Sequence, residues 1–334
     1  MIKLVWRTDV HMSVRAPSSR TDDWSETVFN KLTQVREFAE KIGAEAILDG
    51  GDFFHIKSPS RTTHELVRQV ADHHADYKVP VYCTPGNHDS VYGDYGFLGQ
   101  QPLGVLFSTG VYKRLYDEHE VVFSIPSDNH PPHLNFSALK VRVVGIPYHG
   151  NIYDMARFDI KKGDEDILIC VAHVLASPDG GRMFEGEDII RYSDLLDLDP
   201  DVWCFGHWHK DQGVQVLGGK TIINVGSLTR GALSQDEVQR RPACVGIFCS
   251  IEDGKPVVKT EIHRLNVAPP EDVFDVEGRA RQVKQQVEMD AFVEKIREGL
   301  KPSVEGETLP DAVAGVEGVP DEVRDRALGY LEKV

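Results

Sequence analysis

The sequence predicts an α/β protein built from stacked layers of strands and helices. Short apolar runs alternate with amphipathic helical patterns through the first half of the chain, and the apolar runs of the second half come with fewer helices. The 334 residues are enough for one enzyme-sized core with an appendage. A composition of 41% hydrophobic and 27% charged residues is typical of a globular protein.

The first half contains local signals for each element in turn. The run IKLVWRT predicts a strand, and residues 24–42 place Val28, Leu32 and Val35 at helical spacing before Gly43, a common helix terminator. A second helix is predicted over residues 63–77. Further strands are predicted at AILDG, PVYCT, VRVVGIP, DILICVAH, VWCFGH and TIINVGS.

A hairpin is predicted to close the core near Leu265. Residues 244–265 alternate apolar and polar side chains around Asp253 and Gly254, and an Asp-Gly pair favours a tight turn between two strands. We therefore expect a core of residues 1–265, followed by a C-terminal segment that contains no further sheet.

The C-terminal segment, residues 266–334, is predicted to be a linker followed by helices. The stretch NVAPPEDVF has the prolines of a linker, a helix is predicted over residues 277–300, and a last short helix begins at Pro320. The longer helix carries an apolar side formed by Val283, Val287, Phe292, Ile296 and Leu300.

The net charge of −16 restricts the class of partner. A protein that binds nucleic acid through its charge is expected to carry a basic face. Bound cations would nevertheless supply positive charge to a phosphate substrate where the side chains do not. The composition argues against charge-driven nucleic-acid binding by this chain alone, and it leaves metal-assisted phosphate chemistry open.

The N-terminus and the cysteines favour a cytoplasmic location. The apolar run in MIKLVWRTDVH is too short for a signal peptide or a membrane-spanning helix, so no membrane association is expected. Five cysteines occur in apolar runs such as LICVA and VWCFG, without a CxxC pair, and they are expected to be reduced core residues.

Polar side chains that can bind metals follow five of the predicted strands. Each has an ordinary explanation by itself, because Asn, Asp and Gly are frequent in turns and a single histidine after a strand is usually structural. Together they predict a metal site, since the carboxyl ends of strands meet at a shared crevice. Imidazole, amide and carboxylate ligands without thiolate suit Mn, Fe or Zn. The residues are Asp9, His11, Asp52, Asn87, His88, Asp89, His173, His207 and His209.

The order of these motifs resembles the calcineurin-like metallophosphoesterase superfamily. Its pattern of DxH, GD, GNHD or GNHE, H and GHxH appears here as TDVH, GGDFF, GNHD, AHV and GHWH. The resemblance covers about the first 265 residues. It implies two mixed β-sheets packed as a sandwich flanked by helices, with a two-metal centre at the strand ends and a short C-terminal appendage.

The resemblance also implies a role for each motif residue. Asp52 would bridge two divalent ions, with Mn²⁺ expected and Mg²⁺, Fe²⁺ or Zn²⁺ as alternatives. Two ions about 3.5–4 Å apart acidify a water molecule and clamp a phosphoryl group for in-line attack. His88 would protonate the leaving oxygen, and Asp89 would orient His88. One ion would be held by Asp9, His11 and His209, and the other by Asn87, His173 and His207.

The extended second motif resembles a narrower group, the SbcD-like double-strand-break repair nucleases of bacteria and phages and their archaeal and eukaryotic relatives. The stretch GGDFFHIKSPSR is similar to their GGDLFH…PSR, which implies that His55 acts near the scissile phosphate. Lys57, Arg61 and Arg68 would then be placed to contact DNA phosphates. An alternative interpretation of this stretch is a loop that starts a helix. The segment NVGSLTRG is also similar to the one that follows GHxH in these nucleases.

The expected function is therefore metal-dependent DNA cleavage, as an exonuclease or endonuclease in end processing, repair or recombination. Residues 266–334 are too few for both a DNA-capping domain and a partner-binding segment, and the acidic balance fits an autonomous nuclease poorly. An SbcC-like coiled-coil ATPase partner would supply the DNA-binding surface that the short C-terminal segment and the acidic charge leave missing. A homodimer is a further expectation. The alternatives are a phosphodiesterase or phosphatase on nucleotides or other small phosphoesters and, disfavoured by the complete ligand set, a non-catalytic scaffold.

Overall fold

The computed structural model describes residues 1–17, 19–55, 62–90, 94–126, 138–180, 186–276, 278, 281, 287–289, 291, 313–315 and 318–331. The chain divides into two compact units, Met1–Phe274 and Asp275–Val334. The strands found among the described residues all belong to the first unit, as do the sequence positions of the predicted site residues. Among the described residues, no helix has the length and apolar character needed to cross a bilayer.

The first unit contains two mixed six-stranded sheets. In chain order the strands are β1 Ile2–Arg7, β2 Ala46–Asp49, β3 Val81–Cys83, β4 Tyr112–Arg114, β5 Val121–Ile125, β6 Leu139–Ile146, β7 Ile167–His173, β8 Ala176–Ser177, β9 Ile190–Arg191, β10 Val202–Gly206, β11 Gly213–Leu217, β12 Lys220–Asn224, β13 Ala243–Glu252 and β14 Lys255–Arg264. The spatial orders are β14-β13-β1-β2-β3-β4 and β11-β12-β10-β7-β6-β5, and β8 pairs with β9.

The central strands of each sheet run parallel, so their carboxyl ends lie on one edge. Strands β1, β2 and β3 pair in parallel, with Arg7 opposite Asp49 and Asp49 opposite Cys83. In the second sheet β7 and β10 pair in parallel, with His173 opposite Gly206. This arrangement brings the predicted ligand loops of each sheet to the same end.

Side-chain alternation along the strands produces a layered core. In β1, Leu4 and Trp6 face the apolar layer between the two sheets, whereas Val5 packs with the apolar side of the first helix. In β7, Ile169 lies in the layer between the sheets and Cys170 lies on the outer face. A period of two is expected when both faces of a strand are buried against different layers. The predicted α/β sandwich is confirmed.

The helices confirm the predicted start and stop signals. Helix α1, Trp24–Ile42, begins where the Asp23 side chain accepts a hydrogen bond from the Glu26 amide, and it ends at Gly43 in the left-handed conformation with φ 64°. Helix α2, His64–Ala75, begins with Thr63 as its N-cap. Further helices within the described parts of the chain are α3 Pro102–Ser108, α4 Gln235–Val238, α5 Pro270–Val273 and α6 Asp321–Leu331, with 3₁₀ turns at Tyr95–Gln100, Met155–Phe158 and Tyr192–Leu195.

The C-terminal half also confirms most predictions. Strands β13 and β14 form the predicted hairpin, and Asp253 and Gly254 turn the chain with φ values of 51° and 74°. Helix α6 corresponds to the last short helix. Most of the helix predicted over residues 277–300 lies outside the described residues. Four of its five apolar residues, Val283, Phe292, Ile296 and Leu300, are not described, whereas Val287 is described and is 61% exposed. All five cysteines are buried and free, as predicted.

Candidate metal centre

The ligand loops leave the carboxyl ends of their strands through left-handed backbone. Asp9, His11, Asp52 and His207 have φ values of 53°, 51°, 52° and 88°. Non-glycine residues adopt this conformation rarely, and strained backbone of this kind concentrates at functional sites. The loops after β1 and β2 are joined by hydrogen bonds from the amides of Asp9 and His11 to the carbonyls of residues 51 and 52.

A first cluster of ligand atoms forms around His11. Its Nε2 atom lies 2.9 Å from Nε2 of His209. The same atom is 3.9 Å from Oδ1 of Asp9 and 3.8 Å from Oδ2 of Asp52, and Nε2 of His209 is 3.6 Å from Oδ1 of Asp9. Asp9, His11 and His209 therefore place three ligand atoms within 4.8 Å of one another, as a single cation requires, and Asp52 lies beside His11.

A second cluster forms around His173. Its Nδ1 donates to the Gly50 carbonyl at 2.6 Å, so Nε2 is the nitrogen left to bind a cation. That Nε2 lies 3.2 Å from Oδ1 of Asn87 and 3.4 Å from Oδ2 of Asp52. His207 belongs to the same cluster, with a ligand atom within 4.8 Å of those of Asp52 and His173.

Asp52 belongs to both clusters through one oxygen. Its Oδ2 is the atom near His11 and near His173, while its Oδ1 accepts a hydrogen bond from the His88 amide at 2.7 Å. A Cβ at Gly86 would lie 2.1 Å from Oδ1 of Asp52, so only glycine allows this approach. The geometry leaves Oδ2 free of the backbone and positioned to bridge two ions.

The electrostatics of the clusters fit cations. Burial and the neighbouring His209 lower the pKa of His11, and neutral imidazole is the form that binds a metal. Burial alone would raise the pKa of Asp52, but His173 holds it well below its usual value. Burial would lower the pKa of His173, yet Asp52 outweighs it and raises that pKa to about 9. A cation beside Asp52 would take the place of this proton, so metal binding is expected to release protons.

Comparison with known proteins identifies the family. The model of the calcineurin-like phosphoesterase family matches residues 2–211. The chain belongs to the calcineurin-like phosphoesterase family. Metallophosphoesterases of this family are metal-dependent phosphoester hydrolases that generally use two divalent ions, and the two clusters provide the donors for them.

Two solved structures are similar to this chain at low sequence identity. A dimetal phosphatase from Danio rerio is 10% identical, with 79% of this chain and 97% of that chain covered and a TM-score of 0.48. Vacuolar Protein Sorting 29 from Cryptosporidium parvum is 17% identical, with 79% and 98% covered and a TM-score of 0.32. No curated protein matches the sequence at a significant level. These similarities do not narrow the assignment within the phosphoesterase family.

His88 and His55 lie beside the clusters of this phosphoesterase. The Nδ1 atom of His88 is 2.7 Å from the His55 carbonyl, and a carbonyl only accepts, so Nδ1 carries the proton and Nε2 is the nitrogen left for other chemistry. The His55 and His88 rings stack at 5.4 Å, and Nδ1 of His55 is 3.5 Å from Nδ1 of His11. Burial and His88 lower the pKa of His55.

The contacts of Asp89 differ from the prediction that it orients His88. Its Oδ2 accepts hydrogen bonds from the amides of Asp52 at 2.7 Å and Gly86 at 2.9 Å. The His55 carbonyl orients the His88 ring instead. Asp89 is 2% exposed, and burial together with Asp52 raises its pKa to about 8. Asp89 therefore joins the ligand loop of Asp52 to its own loop through two backbone amides.

Two predicted DNA contacts, Lys57 and Arg61, lie outside the described residues, and their roles stay predictions.

Two features that sequence patterns did not predict adjoin the clusters. Glu187 contacts His207 through a 2.8 Å hydrogen bond. A cavity of about 930 Å³ opens from His11, His55, His88 and His209. Its other lining residues include Trp24, Trp208, Lys210, Ser227 and Thr229.

Proposed function

We propose that this phosphoesterase is a two-metal DNA nuclease that processes DNA ends in repair or recombination. The observation that carries the proposal is the position of His55, the residue that distinguishes the extended GGDFFHIKSPSR motif. Its ring stacks on His88, and its Nδ1 lies 3.5 Å from His11. A residue of the nuclease-like motif therefore lies where a phosphodiester at the metal clusters would be contacted.

The chain's own residues would bind and orient the reacting groups. Asp9, His11 and His209 would hold one ion, Asn87, His173 and His207 would hold the other, and Asp52 would contribute to both. Bound Mn²⁺ ions would acidify a water molecule and neutralise charge on the phosphoryl oxygens. Nδ1 of His88 donates to the His55 carbonyl, so Nε2 is the atom that would deliver a proton to the leaving oxygen.

The cavity beside the clusters supports a nucleic-acid substrate. Its volume of about 930 Å³ lies within the range of about 300–1,000 Å³ that ligand sites occupy. Trp208 forms an aromatic wall of this cavity, and Lys210 lines it as well. Bases stack readily on exposed aromatic side chains, so an unpaired strand end fits this lining. The same volume also favours the second candidate, hydrolysis of nucleotides or other small phosphodiesters.

The charge of the chain supports a partner for DNA binding. With a net charge of −16, the isolated chain is expected to bind DNA weakly and with strong salt sensitivity. A coiled-coil ATPase of the SbcC type would add basic surface, and a homodimer would double the number of contacts. The C-terminal segment is the candidate docking region. The partner and the docking role are both parts of the proposal.

A nuclease assay tests the proposed function directly. The metal-stripped chain is assayed on linear duplex DNA with added Mn²⁺, with and without an SbcC-like ATPase, beside bis-p-nitrophenyl phosphate as the small diester. We expect Mn²⁺-dependent cleavage of DNA ends that increases with the partner. Strong hydrolysis of the small diester without any DNA cleavage, under both conditions, would favour the second candidate.

His55→Ala is expected to separate the two substrates. The substitution removes a side chain that would align the polymer, so cleavage of duplex ends should fall by about 10-fold or more while small-diester hydrolysis changes little. The matched control is His64→Ala, which removes an exposed histidine at the start of α2. Equal losses on DNA and on the small diester would contradict a role of His55 in polymer alignment.

A further inference from the structure

We propose that Glu187 is a positioning residue that fixes the proton of His207 on Nε2, so that His207 binds the second metal ion through Nδ1. The inference deepens the proposed function and rests on the metal centre described there. It assigns a role to a side chain that lies outside all five ligand motifs.

The contact between the two side chains is close and sheltered. Oε1 of Glu187 lies 2.8 Å from Nε2 of His207, and the two side chains are only 9% and 10% exposed. A carboxylate is an acceptor, so the shared proton resides on the histidine nitrogen. Nδ1 then carries the lone pair that a cation requires.

A chain of hydrogen bonds holds Glu187 in place. The Tyr153 hydroxyl donates to the same Oε1 at 2.8 Å, and it accepts a hydrogen bond from the Leu175 amide at 2.9 Å. Leu175 lies two residues beyond the ligand His173. Tyr153, just before the 3₁₀ turn Met155–Phe158, and Leu175, just after β7, therefore set the position of the carboxylate from outside the metal clusters.

Neighbouring backbone contacts make the location of Glu187 independent of its contact with His207. The Asp188 amide donates to the Asn151 carbonyl at 2.8 Å, and the Ile190 amide donates to the Leu175 carbonyl at 3.0 Å. The Asp188 carboxylate accepts from the Tyr153 amide at 2.9 Å. The segment that directly follows Glu187 is anchored to Asn151, Tyr153 and Leu175, and it holds the carboxylate at His207.

The two histidines of the second cluster are thus fixed in opposite ways. His173 donates a hydrogen bond from Nδ1 to a backbone carbonyl, which leaves Nε2 for the ion. His207 donates from Nε2 to a carboxylate, which leaves Nδ1 for the ion. A carboxylate behind a ligand histidine orients the ring and makes the imidazole more basic than a carbonyl does. Loss of such a partner typically reduces metal affinity by about 10–100-fold.

The first measurement is the tautomer of His207 in the metal-free protein. Long-range ¹H–¹⁵N correlation of ¹⁵N-histidine protein reports which nitrogen carries the proton. We expect the Nε2–H form in the wild-type protein, a mixture of both tautomers in Glu187→Leu, and retention of the Nε2–H form in Glu187→Gln, whose amide oxygen still accepts. An Nδ1–H form in the wild-type protein would overturn the inference.

The second measurement is calorimetric titration with Mn²⁺ alone. We expect two ions in the wild-type protein, about 10–100-fold weaker binding of one ion in Glu187→Leu, and a smaller loss in Glu187→Gln. Glu261→Gln on the edge strand β14 is the control for loss of one negative charge at an exposed position. A Glu187→Gln loss as large as that of Glu187→Leu would instead make Glu187 a direct ligand and overturn the positioning role.

The outcomes separate this inference from the proposed function. A wild-type protein that binds no Mn²⁺ would overturn both. Two-ion binding that is unchanged in Glu187→Leu would overturn the positioning role alone. Cleavage of small diesters instead of DNA would change the proposed substrate and would leave the tautomer and the affinity results as the test of Glu187.

Discussion

Asp52→Asn is expected to reduce phosphodiester hydrolysis by about 10³-fold or more and to weaken binding of both metal ions. The same oxygen, Oδ2, lies 3.8 Å from Nε2 of His11 and 3.4 Å from Nε2 of His173, so one carboxylate serves both clusters. An amide has almost the same shape but lacks the negative charge. Turnover on a small diester and calorimetric Mn²⁺ binding measure the two effects.

Asp253→Asn is a matched control for this substitution. Asp52 and Asp253 have φ values of 52° and 51°, and asparagine tolerates this left-handed conformation well. The control therefore makes the same chemical change at a residue with the same backbone conformation, in the hairpin turn between β13 and β14. Because asparagine keeps the shape of the side chain and an oxygen that can accept from the His88 amide, the metal-free Asp52→Asn protein should still unfold cooperatively. Two tightly bound ions and near wild-type turnover in Asp52→Asn would contradict the bridging role.

The sequence predicted the central strands and helix α1 because their signals are local. The apolar run before each ligand motif is the buried strand itself, and the Asp23 and Gly43 signals lie at the helix ends. Strands β4, β5 and β11 were not predicted. All three are edge strands, and an edge strand such as β5, with alternating half-buried and exposed residues, receives its partner from distant sequence.

The metal-ligand motifs could be predicted as a group for a similar reason. Parallel strands bring their carboxyl ends to one edge, so residues such as Asp9 and His173 meet although they are far apart in sequence. The partners of these ligands could not be predicted. Asp89 joins two backbone amides, and Glu187 reaches His207 from a segment without a motif. Such contacts depend on how loops from separate strands pack, and no local pattern encodes that packing.

His88→Ala is expected to keep both ions and to lower turnover by about 10²–10⁴-fold on substrates with a poor leaving group. His88 belongs to neither of the two clusters: its Nδ1 is held by the His55 carbonyl, and one of its ring nitrogens lies within 4.8 Å of ring nitrogens of His11 and His55. Its amide holds Oδ1 of Asp52, and that contact survives the substitution because it belongs to the backbone. Metal content by calorimetry should therefore match the wild type.

The leaving group distinguishes an acid from a group that only binds substrate. A nucleotide alkoxide needs a proton as it departs, whereas p-nitrophenolate departs without one, so the loss in His88→Ala should be much smaller with bis-p-nitrophenyl phosphate than with DNA. His119→Ala removes another exposed histidine and is expected to leave both rates unchanged. Equal losses on the two substrates would instead show that His88 orients the phosphate, because a binding contact acts before the leaving oxygen acquires charge.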